Sequence, residues 1–164
     1  MRKLYLIRHA KSNKDIAGLK DEERPLNKRG KIEARYVGSR LRKYGIIVQA
    51  IYTSPAKRAS DTAKAIAKEL GLSRNKIKVD NLIYDSNIVK LMRVIKKIDN
   101  KVESAVIIGH NPEFLNLVNY LTPRTIKEFP TCGVFVIYFS IDSWKKLARG
   151  KGKLVFSESP RKGL

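Results

Sequence analysis

Cysteine is almost absent: Cys132 is the only one in 164 residues. That excludes an intramolecular disulfide framework and suits a reducing compartment. Cys132 lies inside the apolar run TCGVFVIYFS and reads as a small buried hydrophobe rather than a nucleophile. Long hydrophobic runs are missing as well. No stretch approaches the roughly 20 apolar residues of a membrane span. The N-terminal apolar run is too short for a secretory signal and leads directly into charge. These absences predict a cytoplasmic protein with no membrane partner. Histidine is scarce, with only His9 and His110, and neither H-x-x-x-H nor C-x-x-C spacing occurs. A zinc hydrolase would therefore be short of ligands, and no metal or other cofactor is expected. The lack of a G-x-S-x-G elbow argues equally against a serine hydrolase.

Acidic residues are in deficit too. Lys and Arg number 35 against 15 Asp and Glu, a net charge of +20. Such a field draws in anions, whether nucleic acid, acidic protein surface or phosphorylated substrate. The basic residues are spread along the chain. Their densest cluster, KKLARGKGK at 145–153, carries no helix-turn-helix, zinc-finger or RNA-binding signature. Nucleic acid is possible as a partner but has no motif behind it.

What is present is a regular alternation of strand-like and helix-like segments, with no repeat, linker or boundary to divide residues 1–164 into more than one domain. Short apolar runs at KLYLI (3–7), within 46–54, at KIKV (76–79) and at SAVIIG (104–109) read as strands, the last apolar on both faces as in a central parallel strand. Helices are predicted over Asn27–Tyr44, with Ile32, Tyr36, Val37, Leu41 and Tyr44 on one face, and from Ser54-Pro55 to Gly71, burying Ala59, Thr62, Ala63, Ile66 and Leu70. Two more follow: one near 86–99 carrying Val89, Met92 and Ile95, and HNPEFLNLVNYL, with Phe114, Leu117, Val118 and Leu121 inward. GVFVIYFS and KLVFSES suggest an antiparallel pair at one edge, and the terminal SPRKGL is expected to fray. The fold class implied is α/β: a three-layer α/β/α domain with a mostly parallel central sheet, helices on both faces and antiparallel pairing at an edge.

Both histidines directly follow apolar strands, His9 after LYLIR and His110 after AVIIG. In open α/β sheets the carboxyl edge is where ligands bind. Arg8 adjoins His9, and Arg58 falls in the first turn of the helix opened by SPAKRA. There the helix N-terminus offers unpaired N–H groups to an anion. Two guanidiniums, two imidazoles and a helix N-terminus on one rim describe an oxyanion pocket, suited to phosphate, sulfate or carboxylate. For phosphoryl transfer, Arg8 and Arg58 would clamp the equatorial oxygens. One histidine would attack in line, and the other would stabilise the transferring group as a charged donor.

Four motifs, LIRHAKS at the first strand, RPLNKRG at 24–30, YTSPAKRASDTA at 52–63 and VIIGHNP at 106–112, occur in the order seen in the histidine phosphatase superfamily. The chain most resembles its small SixA-type phosphohistidine phosphatases, and FPTCGVFVIYF resembles their final strand. The resemblance implies that His9 is the residue phosphorylated and that Arg8, Arg58 and His110 complete the catalytic core. Ser12 and Asn111 are candidate phosphate contacts. Ser54 is expected to cap its helix, and Arg24 to reach the pocket mouth. One departure is Ala10, where the superfamily usually has glycine, although SixA-like members tolerate the change. The general acid is the other departure. Asp85, in NLIYDSN, falls where it is often found and equally suits a turn or cap. Asp15 and Asp21 are secondary candidates. An imidazole leaving group needs acid help less than an alkoxide does, since its conjugate acid has a pKa of only about 6.5. The implied substrate is phosphohistidine in a protein, with small phosphate esters as the alternative.

Overall fold

The computed structural model describes residues 1–14 and 16–160; Asp15 and the terminal 161–164 lie outside the described residues. Ser159 and Pro160 are buried, so the expected fraying does not apply to them. Six strands form one sheet: β1 (Arg2–Arg8), β2 (Ala50–Thr53), β3 (Ile77–Val79), β4 (Ser104–Gly109), β5 (Val134–Phe139) and β6 (Lys153–Glu158). Their spatial order is β3-β2-β4-β1-β5-β6. The first four in that order run parallel, whereas β5 is antiparallel to both β1 and β6. The helices are α1 (Lys28–Lys43), α2 (Lys57–Leu70), α3 (Ile88–Lys96) and α4 (Glu113–Leu121).

The two-sided burial of β1 and β4 produces the three layers. Tyr5, Ile7, Val106 and Ile108 face the core shared with α1 and α2. Leu4, Leu6, Ala105 and Ile107 face the opposite core, shared with α3 and α4. Each fully buried aliphatic side chain contributes roughly 1.5–3 kcal/mol, so the two strands that end at the histidines are firmly held in the sheet. Local signals agree with the element ends. The side chain of Asn27 accepts from the Gly30 N–H at the start of α1, and that of Asn87 accepts from Lys90 at the start of α3. Gly71 ends α2 at φ +68°.

Some inward-facing assignments differ. Ile32 (49% exposed), Tyr44 (48%) and Val89 (70%) point to solvent. Helix α1 instead presents Gly30, Ala34, Val37, Gly38 and Leu41. At Gly38 an added Cβ would stand 2.8 Å from the Glu69 Cβ, so close approach of α1 to α2 selects the stripe of small residues over that of larger ones. In α3 the buried stripe is Leu91, Met92, Val94 and Ile95, which turns Val89 outward.

Candidate active site

The strand register brings the site together. Arg8 on β1 pairs with Gly109 on the adjacent parallel β4, so Arg8-His9 and Gly109-His110 leave the sheet side by side. The two imidazole rings lie 5.2 Å apart between centroids. Both line a cleft of about 420 Å³ at the strand carboxyl ends, together with Arg8, Arg58, Ser12 and Asn111. Arg24 and Asp85 line it as well. The catalytic, phosphate-contact and general-acid candidates among the described residues, Asp21 included, therefore border the same cavity, and Asp15 lies outside those residues.

His9 is held by backbone on both sides. Its N–H donates to the Gly109 carbonyl (3.0 Å) and its own carbonyl accepts from the Cys132 N–H (3.1 Å). The next amide, Ala10 N–H, donates to Thr62 Oγ1 at 3.0 Å, and that hydroxyl donates to the Arg58 carbonyl at 2.7 Å. The ring Nδ1 lies 2.8 Å from the Ala10 carbonyl oxygen. A carbonyl can only accept, so Nδ1 carries the proton and Nε2 keeps its lone pair. Burial pushes the His9 pKa down to about 3, and His110, Arg58 and Arg8 add to the effect. At neutral pH His9 is an uncharged imidazole with a free Nε2. Cys132, directly behind it, is fully buried and its thiol pKa is pushed up by that burial, in keeping with an inert packing role.

His110 Nε2 lies 2.8 Å from Ser54 Oγ. Ser54 was expected to cap α2, but that helix starts at Lys57 with Ala56 at the cap position and no side-chain cap bond. The Ser54 hydroxyl instead accepts from the Ala56 N–H at 3.2 Å and orients His110. Burial, with Arg58, pushes the His110 pKa down to about 4. The charged donor expected in this position is therefore a neutral ring before any anion arrives.

The guanidiniums are tethered on one side and unpaired on the other. Arg8 Nη1 donates to the Phe129 carbonyl at 3.0 Å, which also accepts from Asn111 Nδ2 at 2.9 Å. Asn111 Oδ1 accepts from Leu115 N–H at 3.3 Å, so its amide is engaged in bracing the Arg8 anchor and the start of α4. Arg58, 5% exposed, donates to the Asp21 carbonyl (2.7 Å) and to Asp21 Oδ2 (3.0 Å). The Nε atoms of both Arg8 and Arg58 are buried with no acceptor among the described residues. Buried donors of this kind require a partner, and in a cationic cleft the fitting partner is an oxyanion.

Asp21 ties the mouth together. Its carboxylate accepts from Arg24 (2.9 and 3.1 Å), Arg58 and the Tyr84 hydroxyl (2.6 Å). These contacts, that of Tyr84 foremost, hold its pKa well below the usual carboxylate range. Asp21 is thus ionised and has no proton to give, which removes it as a general acid. Conversely, the bond to Asp21 is the main reason the Tyr84 pKa rises to about 12. Arg24 also donates to Ser12 Oγ at 3.1 Å. Asp85 stands exposed at the rim with φ +48°. Tyr84 and the Thr62 bridge have no signal in the sequence, because each acts through a partner from another loop or strand end.

A family model of the Histidine phosphatase superfamily (branch 1) matches residues 4–87. The chain is 27% identical over 153 residues to an uncharacterized chloroplastic protein of Arabidopsis thaliana, across 88% of this chain and 70% of that one. It is 36% identical over 77 residues to the mitochondrial serine/threonine-protein phosphatase Pgam5 of Drosophila mojavensis, 47% of this chain and 26% of that protein. In fold it is similar to the protein histidine phosphatase SixA solved with tungstate, with a TM-score of 0.83, 23% identity and 98% of both chains covered. Residues 4–87 include the segments that supply Arg8, His9 and Arg58, and the chain belongs to the histidine phosphatase superfamily, branch 1.

Proposed function

We propose that this protein is a phosphatase that forms a covalent phosphohistidine on His9 and acts on phosphohistidine in proteins. The observation that carries the reading is the His9 ring. Its Nδ1–H is committed to the Ala10 carbonyl, and its unprotonated Nε2 is left beside two arginines with unpaired N–H groups. Nε2 forms a bond to phosphorus as the bond from phosphorus to the leaving atom breaks. The positive charge that develops on the ring is stabilised by the Nδ1–H to carbonyl bond. Arg8 and Arg58 take the equatorial oxygens, and Ser12 adds a contact. If Ser54 donates to His110 Nε2, the proton of the neutral His110 ring sits on Nδ1 and can be donated to a phosphoryl oxygen. Water then bonds to phosphorus as the Nε2–P bond breaks, releasing inorganic phosphate and restoring His9. Every role is filled by a side chain, so the reading calls for no metal or other cofactor.

The choice of leaving group follows from the carboxylates. Asp21 is held ionised, which leaves Asp85, at the open rim, and Glu113 as the cleft carboxyls that would protonate an alkoxide. An imidazole protonated on its other nitrogen departs neutral without such help. The exposed rim of Lys11, Lys14 and Asp85 admits a phosphorylated side chain presented by a protein. The tungstate complex of the SixA neighbour supports an oxyanion in this cleft. One catalytic domain over 1–164 in the cytoplasm, with the thiol of Cys132 reduced, completes the reading.

The test compares phosphate release from a phosphohistidine protein and from an aryl phosphate, with chelator present. Wild type should turn over both, favouring the phosphohistidine protein. His9→Ala should abolish release, and Arg58→Ala should lower kcat by about 10²–10³, as expected for loss of one transition-state donor. Acid-labile, alkali-stable label on His9 should be trapped in wild type. Undiminished turnover by His9→Ala would overturn the nucleophile assignment, and a preference for aryl phosphate would reassign the substrate to small esters.

A further inference from the structure

Outside the catalytic cleft, one surface groove combines an apolar floor with cations alone. It encloses about 540 Å³ on the outer side of α3 and is floored by Val89, Met92 and Tyr120. Its polar rim is Arg93 and Lys96 from α3, Lys97 just after that helix, and Lys145 from the segment before β6. No Asp or Glu among the described residues lines it. Lys145 opens the KKLARGKGK cluster for which the sequence suggested no role, and Arg149 of the same cluster stands over the Tyr120 ring at 5.8 Å. Two basic segments about 50 residues apart thus meet over one apolar floor, beside a valine that is 70% exposed.

The groove also lies near the site along the chain: Asp85 borders the catalytic cleft and Ile88, three residues on, borders the groove. Resting on the phosphatase reading above, we infer that this groove docks an acidic amphipathic segment of the phosphorylated protein substrate. The apolar floor takes the partner's aliphatic side chains, and the rim pairs with its carboxylates. A nucleic-acid strand fits less well. It would match the cations but not the aliphatic floor, and the face of the single aromatic ring is already covered by Arg149.

The experiment uses a phosphohistidine peptide with a Glu/Leu amphipathic stretch, its Gln/Leu counterpart, the unphosphorylated form of each, and an aryl phosphate. The groove variant Lys96→Glu/Lys97→Glu is compared with Lys31→Glu/Arg35→Glu, a pair of equal charge change on the exposed face of α1, and Val89→Ser tests the floor. The expected result is a roughly tenfold weaker binding of the unphosphorylated Glu/Leu peptide by the groove variant, of the size that reversing two exposed charges allows. KM for its phosphorylated form should rise in step, and aryl phosphate kinetics should change no more than they do in the α1 pair. Equal losses in the α1 pair would overturn the proposal, since the net charge alone would then be responsible. So would equal binding of the Glu and Gln peptides. Loss of single-stranded oligonucleotide binding by the groove variant, with peptide binding intact, would overturn it in favour of nucleic acid. Groove-dependent peptide binding without turnover of any phosphorylated substrate would support the docking surface and remove the phosphatase reading instead.

Discussion

At the scale of single residues, the chemistry depends on keeping two histidines uncharged among cations. Burial is the main cause at both rings, and the arginines add to it. Asp21 works the other way on His110, raising its pKa, and also offsets part of the charge of Arg24 and Arg58. Without that carboxylate the mouth of the cleft would hold a larger uncompensated positive charge. A pH profile follows. An ordinary histidine titrates near 6.5, whereas His9 and His110 are pushed down to about 3 and about 4. On the proposed mechanism the His9 lone pair is available above its folded pKa, so the acid limb of kcat/KM for an aryl phosphate should lie near about pH 3 rather than near 6.5. Stability has the same sign. Between pH 6.5 and 4 the unfolded chain binds protons that the folded one refuses, so stability should decrease as pH falls through that window. Long-range ¹⁵N NMR checks the premise: His9 should show the Nδ1–H tautomer with no titration near 6.5, and an inflection there would contradict it.

At the scale of elements, the site depends on how closely the loop after β1 packs on α1. An added Cβ at Gly30 would collide with the backbone carbonyl of Lys11, two residues after His9. The same carbonyl accepts from the Asn27 N–H at 3.0 Å. RPLNKRG is therefore the seat of the loop after β1 as well as a helix start, and its glycine is required by contact rather than by conformation. Gly30→Ala should destabilise by about 1–3 kcal/mol, the usual cost of overpacking a close contact. Because the loop must shift, kcat should also fall, and urea unfolding together with aryl phosphate kinetics would measure both. A variant with wild-type stability and rate would show that the loop yields freely. Much at this scale was legible in the sequence. Asn27, Gly71 and the two-sided run SAVIIG mark a cap, a stop and a central strand by local chemistry that does not depend on the rest of the fold. Ile32 and Val89 were not legible, because the buried stripe of a helix is chosen by how near its neighbour comes. Ser54 looked like a cap for a related reason. Its hydroxyl does accept a local N–H, but its second partner, His110, is 56 residues away.

At the scale of the whole molecule, the net charge of +20 surrounds a cleft that already contains paired cations. A dianionic substrate should be steered toward it, and salt should screen that attraction over a Debye length of about 8–10 Å. Raising ionic strength from about 0.05 to 0.5 M should lower kcat/KM for an aryl phosphate several-fold, with a smaller effect on kcat. The effect on a long acidic substrate should be steeper, since it meets the α3 groove as well as the cleft. A kcat/KM independent of salt would mean that the surface charge takes no part in capture.

The sequence by itself determined the alternation of strands and helices, the placement of both histidines at strand carboxyl ends and the presence of Arg8 and Arg58 beside them. All of these follow from periodicity, caps and residue order over short distances. Only the tertiary structure decided what those residues become. The parallel register of β1 and β4 sets the two imidazoles 5.2 Å apart. Contacts from distant segments hold Asp21 ionised and draw Ser54 to His110, and burial by the packed layers keeps His9 uncharged. The same folding joins Lys145 to α3 in the groove. Proton positions and pKa values depend on burial and on partners from other segments, and neither exists until the chain has closed around them.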